Sequence, residues 1–280
     1  MLPRCILSTP ANRPERFHKA KEIGTDAVML DLEDGVGLSQ KEVARKGIVD
    51  FFSSFKRTDN KFKWCLRINS IRTTEGLKDL LMLKHHSIQP DFLILPKVEH
   101  PEEIQIMQEI MGKTPIAPII ASIESGKGLQ NANSIAICHG VSGMIFGGGD
   151  LASDLGCSME YETMLYARSR VVQACAIAGI TPMDVPFLKI GEEYLHELSD
   201  ETENVKQLGF KGKLAIHPSH VSIIQDKFYP EPHEIQYAHK VLSAFEEAGE
   251  DVCVVDGKMI DYALIRNCQR VMDIVNTLNQ

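Results

Sequence analysis

The stretch GMIFGGGDLASDLG (143–156) sets a short apolar run, Gly143–Phe146, against three glycines and then Asp150. Taken alone it allows two readings. The glycines form a phosphate cradle behind a strand, or they let the main chain approach a ligand that Asp150 holds. Its meaning for the fold comes from recurrence. Similar runs stand at Cys5–Ser8, Ala27–Leu32, Trp64–Ile68, Phe92–Leu95, Ala117–Ile123, Thr181–Val185 and Leu214–Ile216. The segments between them mostly carry the 3.6-residue apolar period of amphipathic helices, as at Pro14–Ile23, Pro101–Met111 and Tyr161–Ala178. Eight strands alternating with helices over the first 220 residues predict a (β/α)8 TIM barrel, with a doubly wound sheet as the competing α/β arrangement.

After Pro218 the pattern changes. Glu234–Ala248 reads as a helix, and DVCVVDGKMIDYALIRNCQRVMDIV (251–275) as a short strand, a turn at Asp256-Gly257 and a last helix. With eight strands already used, residues 1–220 are expected to form the catalytic barrel and 221–280 a C-terminal helical lid extension.

Composition narrows the function classes. The chain of 280 residues carries 38 acidic against 30 basic residues, a net charge of −8, which argues against general binding to nucleic acid or anionic membranes. An anionic ligand then needs a local basic patch. The seven cysteines are scattered and never form a CxxC pair, as expected of a protein in the reducing cytoplasm. No N-terminal apolar segment reads as a signal peptide, and no run reaches the roughly 18 residues of a membrane span.

Several strands end in polar groups: Asp31-Leu32-Glu33-Asp34, Arg67-Ile68-Asn69, Pro96-Lys97, Ile123-Glu124, Asp150 and Ile216-His217. Barrel active sites form at the carboxyl ends of the strands, so these groups converge on one mouth. Glu124 and Asp150 follow adjacent strands. They either cap the next helices or offer two hard oxygen ligands, which suit Mg²⁺ or Mn²⁺ better than Zn²⁺. No GxxxxGK[ST] or GxGxxG spacing supports the phosphate cradle. Arg67 either closes an internal salt bridge with Glu33 or Asp34 or faces a substrate oxyanion. Lys97 either pairs with a neighbouring acid or touches substrate, and His217 reads as a satisfied core histidine.

Eight motifs in order now resemble one family nearly end to end: TPANRPERFHKA (9–20), DAVMLDLEDGV (26–36), LRIN (66–69), LPKVE (95–99), IESGKGLQNANSIA (123–136), FGGGDLASDLG (146–156), GFKGKLAIHPSH (209–220) and DGKMID (256–261). They are similar to the citrate lyase β-subunit-like acyl-CoA lyases, grouped with malyl-CoA and citramalyl-CoA lyases and related to the HpcH/HpaI aldolases. The resemblance implies a homotrimeric barrel with a C-terminal lid, and Mg²⁺-dependent cleavage of a 3-hydroxyacyl-CoA thioester. It implies Glu124 and Asp150 as metal ligands and Arg67 as the cation at the thioester. Glu33 and Asp34 are implied to orient Arg67 and metal-bound water. Arg13 and Lys19 are implied to meet the CoA nucleotide, Gly148 and Gly149 to leave room for substrate, and Asp261 to enter a neighbouring subunit's site as general acid. Citramalyl-CoA is the expected substrate. Citryl-CoA or malyl-CoA is the alternative, with an acyl carrier protein as partner if the chain serves a citrate lyase complex. Thioester hydrolysis and malate-synthase-like condensation are the other chemistries open to the same metal site. The chain departs from the family pattern at Ser8, at Ala11 and at His220, which replaces a usual glutamine.

Overall fold

The computed structural model describes residues 2–55, 61–249 and 251–279. Eight parallel strands pair in chain order and close on each other: β1 (Cys5–Pro10), β2 (Ala27–Asp31), β3 (Lys63–Arg67), β4 (Phe92–Leu95), β5 (Ile119–Ile123), β6 (Val141–Phe146), β7 (Thr181–Asp184) and β8 (Gly212–Ala215). The last strand returns to the first, Cys5 opposite Lys213, so no edge is left exposed. This is the (β/α)8 barrel, and the doubly wound sheet is excluded.

Helices follow the strands: α1 (Glu15–Glu22), α2 (Lys41–Ser54), α3 (Thr74–His86), α4 (Pro101–Met111), α5 (Gly126–Gln130) and α6 (Ala132–Ala136). The second half adds α7 (Gly148–Leu155), α8 (Leu165–Ala178), α9 (Leu195–Leu208) and α10 (Val221–Phe228). Local chemistry starts several of them. The Thr73 side chain accepts the Gly76 N–H ahead of α3, and the Glu103 side chain accepts the His100 N–H (3.1 Å) ahead of Pro101.

The barrel interior is filled by one residue in two from each strand, including Ile6, Met29, Cys65, Ile94, Ile120, Ile145, Met183 and Leu214. Because side chains alternate, this register fixes which residues face inward at the carboxyl ends. On the outer wall, Trp64 packs in an aromatic box with Phe51 (ring centroids 4.7 Å apart), Phe55, Phe62 and His18. Between β7, β8 and the helices lies a buried ion cluster. Lys213 Nζ donates to Asp184 (2.5 Å) and Glu201 (2.6 Å), and Arg168 Nε donates to Asp184 (3.2 Å).

The chain divides into two compact units, 2–225 and 226–280, so the division falls within α10 rather than after His220. In the second unit α11 (Pro232–Glu247) and α12 (Tyr262–Asn279) enclose Val241, Ile260, Ile265 and Cys268. The tail carries two strands where one was expected: β9 (Cys253–Val255) and β10 (Lys258–Ile260) form an antiparallel hairpin. Asp256 and Gly257, both at positive φ, make its tight turn. Among the described residues, no helix is long and apolar enough to cross a membrane.

Candidate active site

Ala27 and Met29 face the barrel interior, so Asp31, two residues on, does too; Cys65 places Arg67 likewise. Asp31 and Arg67 are also register partners on adjacent strands. Arg67 Nε and Nη2 each donate to an Asp31 carboxylate oxygen at 2.7 Å, and Nη1 lies 3.1 Å from Glu33 Oε2. Sequence reasoning assigned these partners to Glu33 and Asp34. Glu33 is one of them, but Asp34 stands beside Lys97 instead, and Asp31 was missed. The signal for Asp31 was available in the two-residue alternation of β2.

Asp31 is held by more than Arg67. Its two oxygens accept the backbone N–H groups of Glu33 (2.9 Å) and Gly35 (2.8 Å). A Cβ on Gly35 would sit 2.5 Å from Asp31 Oδ2, so this turn requires glycine. Lys41 Nζ donates to the carbonyls of Leu32 and Glu33, both at 2.9 Å, and Asn69 Nδ2 donates to that of Leu32 at 3.0 Å. Burial alone would weaken the Arg67 cation, yet the hydrogen bonds and charge of Asp31 raise its pKa above the ordinary value. A guanidinium has five N–H donors; Asp31 takes two of them as hydrogen bonds, and Nη1 faces Glu33 as an ion pair.

Glu124 follows β5 and is 6% exposed, whereas Asp150 sits in the first turn of α7 with half its side chain exposed. The two carboxyl groups are hydrogen-bonded to each other. Burial, with the Glu33 charge adding to it, pushes Glu124 up to about 7. Burial acts the same way on Asp150, but the hydrogen bond from Glu124 and the Lys97 ammonium hold it below its usual range. The two directions put a proton on Glu124 rather than on Asp150, held up to about pH 7.

The three glycines divide in role. A Cβ on Gly147 would lie 2.3 Å from Glu124 Cγ, and one on Gly148 would lie 2.8 Å from the Phe146 ring. Gly149 faces open space, with nothing within 4 Å of its Cβ position. Gly147, read from the sequence only as room for a ligand beside Asp150, lets Glu124 lie against the end of β6. Replacing it by alanine should push Glu124 aside and weaken Mg²⁺ affinity by about tenfold or more, in the range that misplaced ligand support produces. Calorimetric Mg²⁺ titration of Gly147→Ala beside Gly149→Ala reads this, and the latter should stay near wild type.

Among the described residues, no group of three or more His, Cys, Asp and Glu side chains is placed to hold a metal. The Glu124–Asp150 pair still fits Mg²⁺. Its donors are hard carboxylate oxygens in contact, and Mg²⁺ usually takes one or two protein carboxylates and fills its other positions with water and substrate. The Glu124 proton gives the fit a testable sign. Glu124 titrates higher in the fold than its ordinary 4.5, so its protonation stabilises the fold, and that contribution is lost as pH rises from about 4.5 to 7. A bound cation replaces the proton. Mg²⁺ should therefore raise the melting temperature more at pH 8 than at pH 5.5, and an equal rise at both would contradict the Glu124 proton.

Lys97 also belongs to this site. Its Nζ lies 2.8 Å from Glu33 Oε1, 3.2 Å from Asp150 Oδ2 and 3.5 Å from Asp34 Oδ1. Burial opposes its charge, but the hydrogen bond and charge of Glu33 prevail, with Asp34 and Asp150 adding to them, and the ammonium pKa is raised.

Arg13, in the β1–α1 loop, and Lys19, about one turn into α1, are both exposed and, among the described residues, pair with no carboxylate. Within its own unit Asp261 caps α12, its Oδ1 accepting the Leu264 N–H at 2.8 Å. His217 is no core histidine: it is half-buried, and its Nδ1 accepts the Ser219 N–H. His220 is the buried one, packed between Phe187 and His217, with burial lowering its pKa.

Residues 4–218 match the HpcH/HpaI aldolase/citrate lyase family. The mitochondrial citramalyl-CoA lyase of Rattus norvegicus is 28% identical over 99% of this chain and 87% of its own length. A (3S)-malyl-CoA thioesterase of Cereibacter sphaeroides is 31% identical over 92% of this chain and 89% of its own. The crystal structure of protein CitE from Mycobacterium tuberculosis, in complex with magnesium, acetoacetate and coenzyme A, superposes with a TM-score of 0.80. It is 26% identical, over 98% of both chains. A closed barrel whose mouth joins an acid pair to a carboxylate-held arginine, matched over more than three quarters of its length, makes this chain a member of the HpcH/HpaI aldolase/citrate lyase family.

Proposed function

We propose that the protein is a Mg²⁺-dependent carbon–carbon lyase that splits citramalyl-CoA into acetyl-CoA and pyruvate. The observation that carries this reading is the meeting, at one barrel mouth, of the interacting Glu124–Asp150 carboxylates with an Arg67 that Asp31 pins by two hydrogen bonds and Glu33 flanks as an ion pair. Similarity to the rat citramalyl-CoA lyase over 99% of this chain and 87% of its own length supports it and is the ground for proposing that substrate.

Glu124 and Asp150 would hold Mg²⁺, which supplies Lewis acidity that lowers the pKa of the substrate 3-hydroxyl and steadies the carbonyl formed from it. Transfer of the hydroxyl proton to a general base lets the C2–C3 bond break, its electron pair passing to the thioester as an enolate. Arg67, pinned by Asp31 and paired with Glu33, would offer its remaining N–H donors to the enolate oxygen and stabilise the charge there. Asp261 of a neighbouring subunit returns a proton to the methylene carbon, which makes the trimer part of the proposal. Arg13 and Lys19 supply the local positive charge that the CoA phosphates require in an acidic protein. The compartment proposed is the cytosol, in keeping with seven unpaired cysteines.

Similarity to a named thioesterase favours a second reading, hydrolysis of the thioester at the same site. The purified protein, Mg²⁺ and citramalyl-, malyl- or citryl-CoA separate the two. Pyruvate from citramalyl-CoA supports the proposal. Free CoA without any keto acid replaces it with hydrolysis, and oxaloacetate from citryl-CoA alone points to the citrate lyase β-subunit role, with its carrier-protein thioester.

A further inference from the structure

Lys97 stands out among the residues of the mouth by its main chain. It is one of three non-glycine residues at positive φ among those described, at 54°, a conformation that persists in L-residues where the surroundings over-determine it. Here they do so through three hooks. The Lys97 N–H faces Glu124 Oε1 at 3.3 Å, its carbonyl accepts Arg72 Nη2 at 2.9 Å, and its ammonium reaches Glu33 and Asp150. Arg72 is itself fixed by Glu99 at 2.6 Å. A surface lysine pairing by chance needs none of this.

The charges around it explain the arrangement. Asp31, Glu33, Asp34, Glu124 and Asp150 crowd one mouth, and Arg67 is spent on Asp31 and Glu33. Lys97 is the cation that spans the gap between the Arg67 arm and the Glu124–Asp150 pair. Charges this close interact strongly at a partly screened protein surface. An ammonium in contact with Asp150 lowers the negative potential that a divalent ion meets at the same carboxylate.

We propose that Lys97 is a positioning residue that acts as the resident counter-cation of the acid cluster, holding Asp150 and Glu33 together and setting the affinity for the divalent ion. This rests on the reading of Glu124 and Asp150 as the Mg²⁺ pair. Lys97 keeps the acids in place without the ion and keeps the ion's hold loose enough for an anionic substrate to share it.

The test is Mg²⁺ titration calorimetry at pH 8 on wild type, Lys97→Met, Lys97→Arg and Asp150→Ala, with melting curves in a chelator and in saturating Mg²⁺. Lys97→Met should bind Mg²⁺ about tenfold more tightly than wild type, since one positive charge has left the cluster. Lys97→Arg, which keeps the charge, should stay within about threefold. In the chelator Lys97→Met should melt below wild type, and Mg²⁺ should close that gap. Equal or weaker binding by Lys97→Met, with binding lost in Asp150→Ala, overturns the proposal and leaves the metal pair standing. Failure of the lyase reading shows elsewhere, as normal Mg²⁺ binding with no keto acid from any thioester.

Discussion

Asp150→Ala should abolish Mg²⁺ binding and lower keto-acid release by about 1,000-fold or more. Metal catalysis of this kind is worth several kcal/mol, and each 1.36 kcal/mol is about a factor of ten in rate. The size of the effect follows from how little else can serve. Among the described residues no third acid, histidine or cysteine completes a metal cluster, so removing one carboxylate of the pair leaves Glu124 alone. The fold should hardly register the change, because half the Asp150 side chain is exposed and surface replacements usually shift stability by about 0.5 kcal/mol or less. A variant that melts normally but neither binds Mg²⁺ nor releases keto acid therefore isolates the chemistry. Asp34→Ala is the matched control. It removes an equally exposed carboxylate that touches the same lysine, and it should keep activity within about tenfold. Comparable losses in both variants would mean that the whole acid cluster, not the Glu124–Asp150 pair, carries the ion.

Arg67→Lys should lower kcat by about 100- to 1,000-fold with little change in KM, the usual effect of removing one preorganised donor to a developing oxyanion. A lysine keeps the charge but loses the planar fork that meets both Asp31 oxygens at 2.7 Å. Arg67→Met should go further and destabilise the fold as well. Asp31 is 1% exposed and would keep a buried charge whose cation is gone, a change that costs about 3–5 kcal/mol when a buried pair is broken from one side. The backbone donors of Glu33 and Gly35 soften that loss, so the melting shift places this variant between a surface replacement and an unpaired buried acid. Steady-state kinetics on Arg67→Lys and denaturant curves on Arg67→Met read the two effects separately. A rise in KM with kcat unchanged would assign Arg67 to substrate holding alone.

The barrel was legible because its strands are apolar runs with turns between them, and all eight lie where those runs lie. Their ends were less so, for identifiable reasons. β8 was expected at Leu214–Ile216 but spans Gly212–Ala215, because Lys213 faces the helices inside an ion cluster. A pattern that scores lysine as solvent-facing starts the strand too late. The helix expected from Tyr161 starts at Leu165, the Arg168 N–H reaching back to Met164 as its first turn closes.

The site was legible in its residue types and less so in its pairings. Glu124, Asp150, Arg67 and Glu33 do come together. Asp31 was passed over because the acids after the strand drew attention, while the inward alternation of Ala27 and Met29 pointed to the acid at its end. Lys97 stayed undecided because a positive φ leaves no mark in residue type at a non-glycine position. The need for Gly147 depends on where Glu124 bends across strands, a contact that no spacing along one strand encodes.

Trp64 has a practical consequence. It is the chain's one tryptophan, fixed among phenylalanine rings on the outer wall at the start of β3, whereas Arg67 ends the same strand facing inward. Its emission spectrum is thus a built-in gauge of whether the α1–α2 wall is packed, nearly blind to what enters the mouth. A fluorimeter can follow the unfolding of every variant above in the same cuvette, with and without ligand, and the light it collects reports the scaffold alone.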